Sequence, residues 1–341
     1  MAAFLRNIQR RMISVSAVSA VYLLLLAGLP LLAPACLFAD LVRARLRFPV
    51  FRFYCFLLFM LAWECFGVAA AFGLWLLHAA SAFQLHAAYI RANYRLQWFW
   101  GASLARVSVW LFRLQLEVEH AADILPGGAF YFFRHTSFAD TILPVYFISQ
   151  PHGLRLRYVL KRELLWDPCL DIVGQRLPNR FVARDGSDVE ALDAVGQLAG
   201  GMGPQDGVLI FPEGTRFSPS KRENLLRKMR ADPSDWRLPY AERWRQVLPP
   251  KLGGPLALLR HAPEADVVFC AHTGLEAASS VRSVLNGGLI GARIRIRFWR
   301  IPAAEVPARE EDRARWLFEQ WNEVNAFAEA SAARTSEESK A

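Results

Sequence analysis

A histidine and an aspartate stand five positions apart in Arg134-His135-Thr136-Ser137-Phe138-Ala139-Asp140. A carboxylate, a glycine and a guanidinium share the short run Phe211-Pro212-Glu213-Gly214-Thr215-Arg216. Histidine titrates near neutral pH, so His135 suits the removal of a proton from an attacking hydroxyl. A carboxylate on the far ring nitrogen fixes the tautomer and stabilises the imidazolium, which suits Asp140 to a supporting role. With a substrate hydroxyl as the attacking oxygen, no serine nucleophile is required. In the second run Gly214 lets the backbone approach a ligand, and Arg216 can grip a phosphate bidentately. Glu213 can bind acceptor hydroxyls or order its own loop.

The spacing His-x4-Asp occurs twice. The second copy, His261 to Asp266, contains Pro263 and leads into Val267-Val268-Phe269-Cys270, so it reads as a loop entering a strand. The first follows the apolar run Ala129 to Phe133 and precedes Thr141 to Phe147, which makes it a strand delivering His135 to a turn. Thr136 or Ser137 can cap a short helix there. We read His135 as the functional copy and His261 as a coincidence. A Gly-x-Ser-x-Gly elbow and a phosphate-binding P-loop are missing, and Gly201-x-Gly203-x-x-x-Gly207 precedes its strand instead of following one. These features disfavour a serine esterase and a dinucleotide enzyme.

Both blocks, in this order, resemble the glycerolipid (lysophospholipid) acyltransferase family. Lys161-Arg162-Glu163-Leu164, Pro168, Gly174 and Phe181-Val182-Ala183-Arg184 look like weaker blocks of the same family, and Val247-Leu248-Pro249-Pro250 follows a long insert, 217–246. The insert is similar to the eukaryotic-type branch. One position departs from the pattern: Arg134 stands where asparagine is usual before the motif histidine. The resemblance implies a glycerol-3-phosphate acyltransferase-like α/β domain with a central mixed sheet. It implies His135 and Asp140 as the catalytic pair, with Glu213, Gly214, Thr215, Arg216, Arg184 and Lys161 on the substrate. It implies a fatty acyl group moving from acyl-CoA or acyl-carrier protein, as co-substrate with no cofactor or metal, to the hydroxyl of 1-acyl-glycerol-3-phosphate, giving phosphatidic acid. Alternatives are a lyso-ornithine lipid or lysophospholipid acceptor, and a non-catalytic lipid-binding protein of the same fold.

The elements that must position these residues follow from composition and pattern. The 341 residues are 54% hydrophobic and 21% charged, with mean hydropathy +0.18, net charge +9 and pI about 9.6. That balance suits a membrane anchor followed by one domain, with anionic lipid headgroups rather than nucleic acid as the basic surface's partner. The apolar segments 13–39 and 53–82 are long enough to form a membrane hairpin. Arginines flank them at Arg6, Arg10 and Arg11 and again from Arg43 to Arg52, which conflicts with two full crossings. A hairpin entering one leaflet would leave every arginine at one headgroup surface. In either arrangement the bulk of the chain is expected on the cytoplasmic side.

The expected organisation is an anchor over 1–97, an acyltransferase domain over 98–328 and a disordered tail over 329–341. Strands are expected at Leu114–Glu119, Ala129–Phe133, Arg157–Leu160, Val208–Phe211, Ala265–Ala271 and Ala292–Ile301, with a helix at Val189–Leu198. In the insert, Trp236, Tyr240 and Trp244 among lysines and arginines suit interfacial docking or a plain solvated helix. Arg293, Arg295 and Arg297 alternate with apolar residues and read as an exposed sheet face. The five cysteines have neither C-x-x-C nor metal-finger spacing.

Overall fold

Two neighbouring parallel strands carry both blocks. The computed structural model describes residues 2–183, 189–232 and 234–338. Its strands are β1 (Gln115–Glu119), β2 (Ala129–Phe133), β3 (Arg155–Lys161), β4 (Arg180–Val182), β5 (Asp206–Ile210), β6 (Val267–Thr273) and β7 (Arg293–Ile301). They form one sheet in the order β1-β7-β6-β2-β5-β3-β4, parallel throughout except between β6 and β7. The mixed α/β architecture is the one expected from sequence. β4 is an addition, since Phe181-Val182 had been read only as part of a motif. Phe132 of β2 stands opposite Ile210 of β5. Continuing that register places His135 opposite Glu213, each three residues further on, at the C-terminal ends of the parallel strands where open α/β sheets place ligands.

The helices are α1 (Ala2–Ala27), α2 (Leu29–Val42), α3 (Pro49–Ala80), α4 (His86–Phe112), α5 (Gln150–His152), α6 (Pro168–Ile172), α7 (Val189–Gly196), α8 (Pro219–Arg230), α9 (Leu238–Arg243), α10 (Gly253–His261), α11 (Val281–Leu285) and α12 (Glu310–Glu338). Every residue of β2, β5 and β6 is buried, which is why these strands read as unbroken apolar runs rather than alternating ones. One face of the sheet packs Tyr131, Phe133 and Cys270 against Phe112 of α4 and Phe56 of α3. The other packs Phe130, Phe132 and Phe269 against Leu258 of α10 and Trp316 and Trp321 of α12.

Two helices, over Leu5–Ala27 and Pro49–Ala80, are long and apolar enough to cross a membrane, and α2 is shorter. The first expected apolar segment is thus divided at Gly28 into α1 and α2. The backbone stays nearly helical across the break, with Gly28 N–H on the Leu24 carbonyl at 2.9 Å and Leu32 N–H on that of Gly28 at 2.8 Å. The turn into α3 is fixed by buried Asp40, which accepts the Val50 and Phe51 amides at 3.2 and 3.0 Å. Tyr54 Oη closes the hairpin by donating to the Leu25 carbonyl at 2.7 Å.

Both ends of this arm dock on the sheet domain. Arg10 donates to Asp171 of α6 at 3.1 and 2.8 Å, and Arg45 donates to the Leu285 carbonyl of α11 at 2.8 Å. At ~1.5 Å per residue the helices between them extend roughly 50 Å. The arm therefore lies across the domain instead of standing away from it.

Four sequence expectations are corrected. The boundary expected at Trp98 falls within α4, which starts at His86 and runs unbroken through Trp98 to Phe112. In the insert Trp244 is buried and stacks on Phe318 of α12 at 5.4 Å, with Trp236 and Tyr240 packed on the same ring. Those aromatics are core rather than interfacial. Arg293 and Arg295 pair with Glu117 at 3.1 and 3.0 Å, and Arg297 pairs with Glu119 at 2.6 Å. Arg295 also donates to the Ser331 carbonyl and Arg297 lies over the Phe327 ring, so α12 covers a face expected to be exposed. The last of the four is the tail. The helix continues to Glu338, held by the buried side of Phe327, Ala328 and Ser331, while residues 339–341 lie outside the described ones.

Candidate active site

The turn after β2 is built around one buried carboxylate. Asp140 is fully buried and accepts from His135 Nδ1 at 3.1 Å, Ser137 N–H at 2.9 Å, Ser137 Oγ at 2.5 Å and the Thr136 backbone amide. With Nδ1 donating, Nε2 of His135 is the free base. Burial opposes the charge on Asp140, but His272 nearby and the hydrogen bonds from His135 and Ser137 bring its pKa down to about 2. His135 is held on its other side by Phe211, with ring centroids 4.6 Å apart, and its carbonyl accepts Phe217 N–H at 2.8 Å.

Glu213 is buried, with one oxygen on the His135 amide at 2.8 Å and the other on the Leu248 amide at 2.9 Å. Burial pushes its pKa up to about 7, against those hydrogen bonds and the charge of Arg134. Of the two roles open to Glu213 in the sequence, this geometry supports loop ordering, since both oxygens are occupied. Gly214 follows in a left-handed conformation with φ +65°, and an added Cβ would lie 2.9 Å from Lys251 Cδ. A side chain there would be strained and would crowd Lys251.

His135 lines a cavity of about 580 Å³. The remaining wall is mostly apolar (Val159, Leu160, Leu192, Ile210, Phe211), with Lys161 and Lys251 supplying cations. The dimensions and the few convergent polar groups suit a small-molecule site. The structure thus brings together His135, Asp140, Glu213, Gly214 and Lys161. Thr215 lines a neighbouring cleft instead, and Arg216 is exposed and lines neither cavity. Arg184 lies outside the described residues.

Sequence reading missed Lys251, which immediately follows the Val247–Pro250 block and whose amide donates to the Pro212 carbonyl at 2.8 Å. It also missed His272 on β6, which donates Nε2–H to the Arg134 carbonyl at 2.8 Å and stands 3.8 Å from Asp140. Burial lowers the pKa of His272 from its ordinary value, against the pull of the nearby Asp140 carboxylate. Arg134, the departure from the family pattern, is fully buried and points away from the cavity. It donates to Glu276 at 2.9 Å, to the Gln246 carbonyl at 2.7 Å and to the His272 carbonyl, joining β2, β6 and the insert.

A strand-end histidine backed by a buried aspartate thus stands on the wall of a largely apolar cavity in a mixed α/β sheet. Residues 115–268 match the family model described as Acyltransferase, and this segment is a domain of that family. Among solved structures the fold is similar to that of the 1-acyl-sn-glycerophosphate (LPA) acyltransferase PlsC from Thermotoga maritima, with TM-score 0.52 and 15% identity. That likeness covers 81% of this chain and 97% of the other. No curated protein matches the chain.

Proposed function

We propose that the protein is a membrane-associated O-acyltransferase that moves a fatty acyl group from a thioester donor to the hydroxyl of 1-acyl-glycerol-3-phosphate, giving phosphatidic acid. The observation that carries this reading is the His135–Asp140 pair at 3.1 Å on the wall of a largely apolar cavity that also holds Lys161. His135 Nε2 takes the acceptor's hydroxyl proton as its oxygen attacks the thioester carbon. The carbon–sulfur bond breaks, and the imidazolium returns the proton to the departing thiolate. Asp140 stabilises the imidazolium between these steps. Lys161 stands where it can pair with the acceptor's phosphate, and the apolar wall suits an acyl chain. Because Arg134 faces away from the cavity, the departure from the family pattern gives no reason to prefer another headgroup.

The α1–α2 arm bears a row of exposed apolar side chains, including Met12 at 65%, Leu24 at 71%, Leu31 at 79% and Phe38 at 68%. With both ends of the arm docked on one domain, that face suits insertion into one leaflet. The arginines then lie at the headgroups beside a catalytic domain on the cytoplasmic side, where thioester donors are made. The test is an acceptor panel assayed with purified protein and one labelled acyl-CoA, using His135→Ala as control. Lysophosphatidate should be acylated by the parent only. Acylation of a lyso-ornithine lipid or lysophospholipid in its place would overturn the acceptor, and no acylation at all would overturn the activity.

A further inference from the structure

Two cavities flank the second block. Pro212 and Gly214 line the catalytic one, whereas Glu213 and Thr215 line a cleft of about 280 Å³ on its other side. Lys251 belongs to both. The far wall of the cleft comes from the insert: Lys221, Asn224 and Lys228 of α8, and Arg237 just before α9. This wall is rigid, because Trp236, Tyr240 and Trp244 pack on Phe318 and Arg222 of α8 donates to the Glu242 carbonyl at 3.0 Å.

The cleft is electrostatically unbalanced. Glu213 is its carboxylate, and both of its oxygens are taken by buried amides. Arg237 is neutralised by Asp235 at 2.7 Å. Lys221 reaches back to Thr215 Oγ1 at 2.9 Å and the Arg216 carbonyl at 3.0 Å, tying α8 to the block. Lys228 and Lys251 are exposed, and their ammonium groups have no hydrogen-bond or ion-pair partner among the described residues. A concave site with surplus ammonium groups and hydroxyl and amide donors fits a phosphorylated ligand.

We propose that this cleft binds the phosphate groups of the acyl donor, which makes the donor a nucleotide-bearing thioester of the coenzyme A type. The inference rests on the acyltransferase reading above. The acceptor's phosphate is only a few bonds from the hydroxyl that must reach His135, so the catalytic cavity itself serves it. A cleft beyond the second block suits a ligand whose phosphates are remote from its reacting carbonyl. In an acyl-CoA the pantetheine arm separates the thioester from a pyrophosphate and a ribose phosphate. Lys251, shared by both cavities, lies on the path between the two ends.

The experiment uses the purified full chain. Adenosine 3',5'-bisphosphate is titrated as the probe, and kinetics are compared for an acyl-CoA, the matching acyl-pantetheine and the matching acyl-carrier protein. Lys228 lies in the cleft alone, and its exposure makes Lys228→Gln a folded variant. Each lysine removed should weaken bisphosphate binding roughly three- to tenfold and raise the acyl-CoA KM to match, with kcat little changed and added salt acting in the same direction. The preference for acyl-CoA over acyl-pantetheine should shrink by that factor, and Lys228→Arg should restore it. Bisphosphate binding indifferent to the substitution, or a KM effect on the acceptor instead, would overturn the proposal. So would use of acyl-carrier protein in preference to acyl-CoA. If no donor supports transfer while the bisphosphate still binds through Lys228, the cleft stands and the acyltransferase reading falls.

Discussion

The carboxylate of Glu213 accepts the backbone N–H of His135 at 2.8 Å, so the second block holds the backbone of the first. The same carboxylate accepts Leu248 N–H at 2.9 Å, which adds the stretch carrying Lys251 to one buried assembly. Two strands in parallel register make this possible, and neither block could set the base alone.

That brace has a pH signature. Glu213 has its pKa raised from 4.5 to about 7 by burial, so between those values the folded protein keeps a proton that the unfolded chain releases. Its contribution is present below pH ~4.5 and is lost as pH rises towards 7, by up to roughly 3 kcal/mol. Asp140, lowered from 3.8 to about 2, acts in the opposite sense: its contribution holds above 3.8 and is lost as pH falls towards 2. The thermal midpoint in detergent should therefore fall between pH 5 and 8 in the parent. In Glu213→Gln it should be flatter with pH, because the amide has no proton to release over that range. Parallel curves for the two proteins would refute this account.

The histidines separate cleanly. His135→Ala should lower acyl transfer by ~10²–10⁴ or more with the fold retained. His261 Nδ1 donates to the Ala257 carbonyl at 3.0 Å, and its Nε2 lies 3.2 Å from Asp193 on the surface, away from the cavity that His135 lines. His261→Ala should leave the rate near that of the parent. Steady-state kinetics of the two variants decide it, and an exchange of phenotypes would mean that the wrong copy of the motif has been assigned.

Lys161 and Arg216 should also part company. Lys161 lines the cavity with His135, whereas Arg216 is exposed outside it. Lys161→Ala should raise the KM for lysophosphatidate about tenfold, in keeping with a charge-assisted hydrogen bond. Arg216→Ala should raise it only a few-fold and lose that effect in high salt, as solvated charges do. A larger, salt-resistant effect at Arg216 would place the phosphate outside the cavity.

Much of this was legible in the sequence where local pattern and tertiary role agree. β2, β5 and β6 are continuous apolar runs because both faces are covered, and the blocks that follow them are short enough to read whole. Two of the misreadings, the insert aromatics and the arginine face of β7, share a cause: α12 covers what looked exposed. Trp244 lies on Phe318, and Arg295 donates to the Ser331 carbonyl, contacts spanning some 70 and 40 residues that no local window contains. β4 was missed because three residues carry too little periodicity. Lys251 and His272 enter the site through packing, and only the position of Lys251 directly after Pro250 hinted at it.

Docking of α1 depends on a buried charge. Asp171 is fully buried and paired with Arg10 at 2.8 Å and Arg11 at 3.3 Å. Replacing both arginines by alanine leaves that carboxylate with the Gln175 amide as its remaining side-chain donor among the described residues. The partly exposed arginines put the loss at roughly 1–3 kcal/mol, below the cost of breaking a fully buried pair. Hydrogen exchange across α1 should accelerate while that of β2 and β5 stays slow. Unchanged protection in α1 would show that its apolar contacts alone hold it.

The lie of the hairpin can be tested from its ends. Arg6, in the second turn of α1, and Arg43, just after α2, are exposed near the two ends of the arm. A single crossing by that arm would put them on opposite sides of a bilayer. In one leaflet, both remain on the side of the catalytic domain. The second arrangement keeps Arg10 on Asp171 and Arg45 on the Leu285 carbonyl, whereas a crossing must break one of these contacts. Arg6→Cys and Arg43→Cys, each compared with the parent in sealed vesicles, should both react with a membrane-impermeant maleimide added on the catalytic side. Neither should react when the reagent is confined to the other side. Attachment should also survive high salt, because exposed apolar side chains such as Leu31 at 79% and Phe38 at 68% hold the arm rather than charge alone. Labelling of the two positions from opposite sides would show that the arm crosses and that its docked form is not the membrane-bound one.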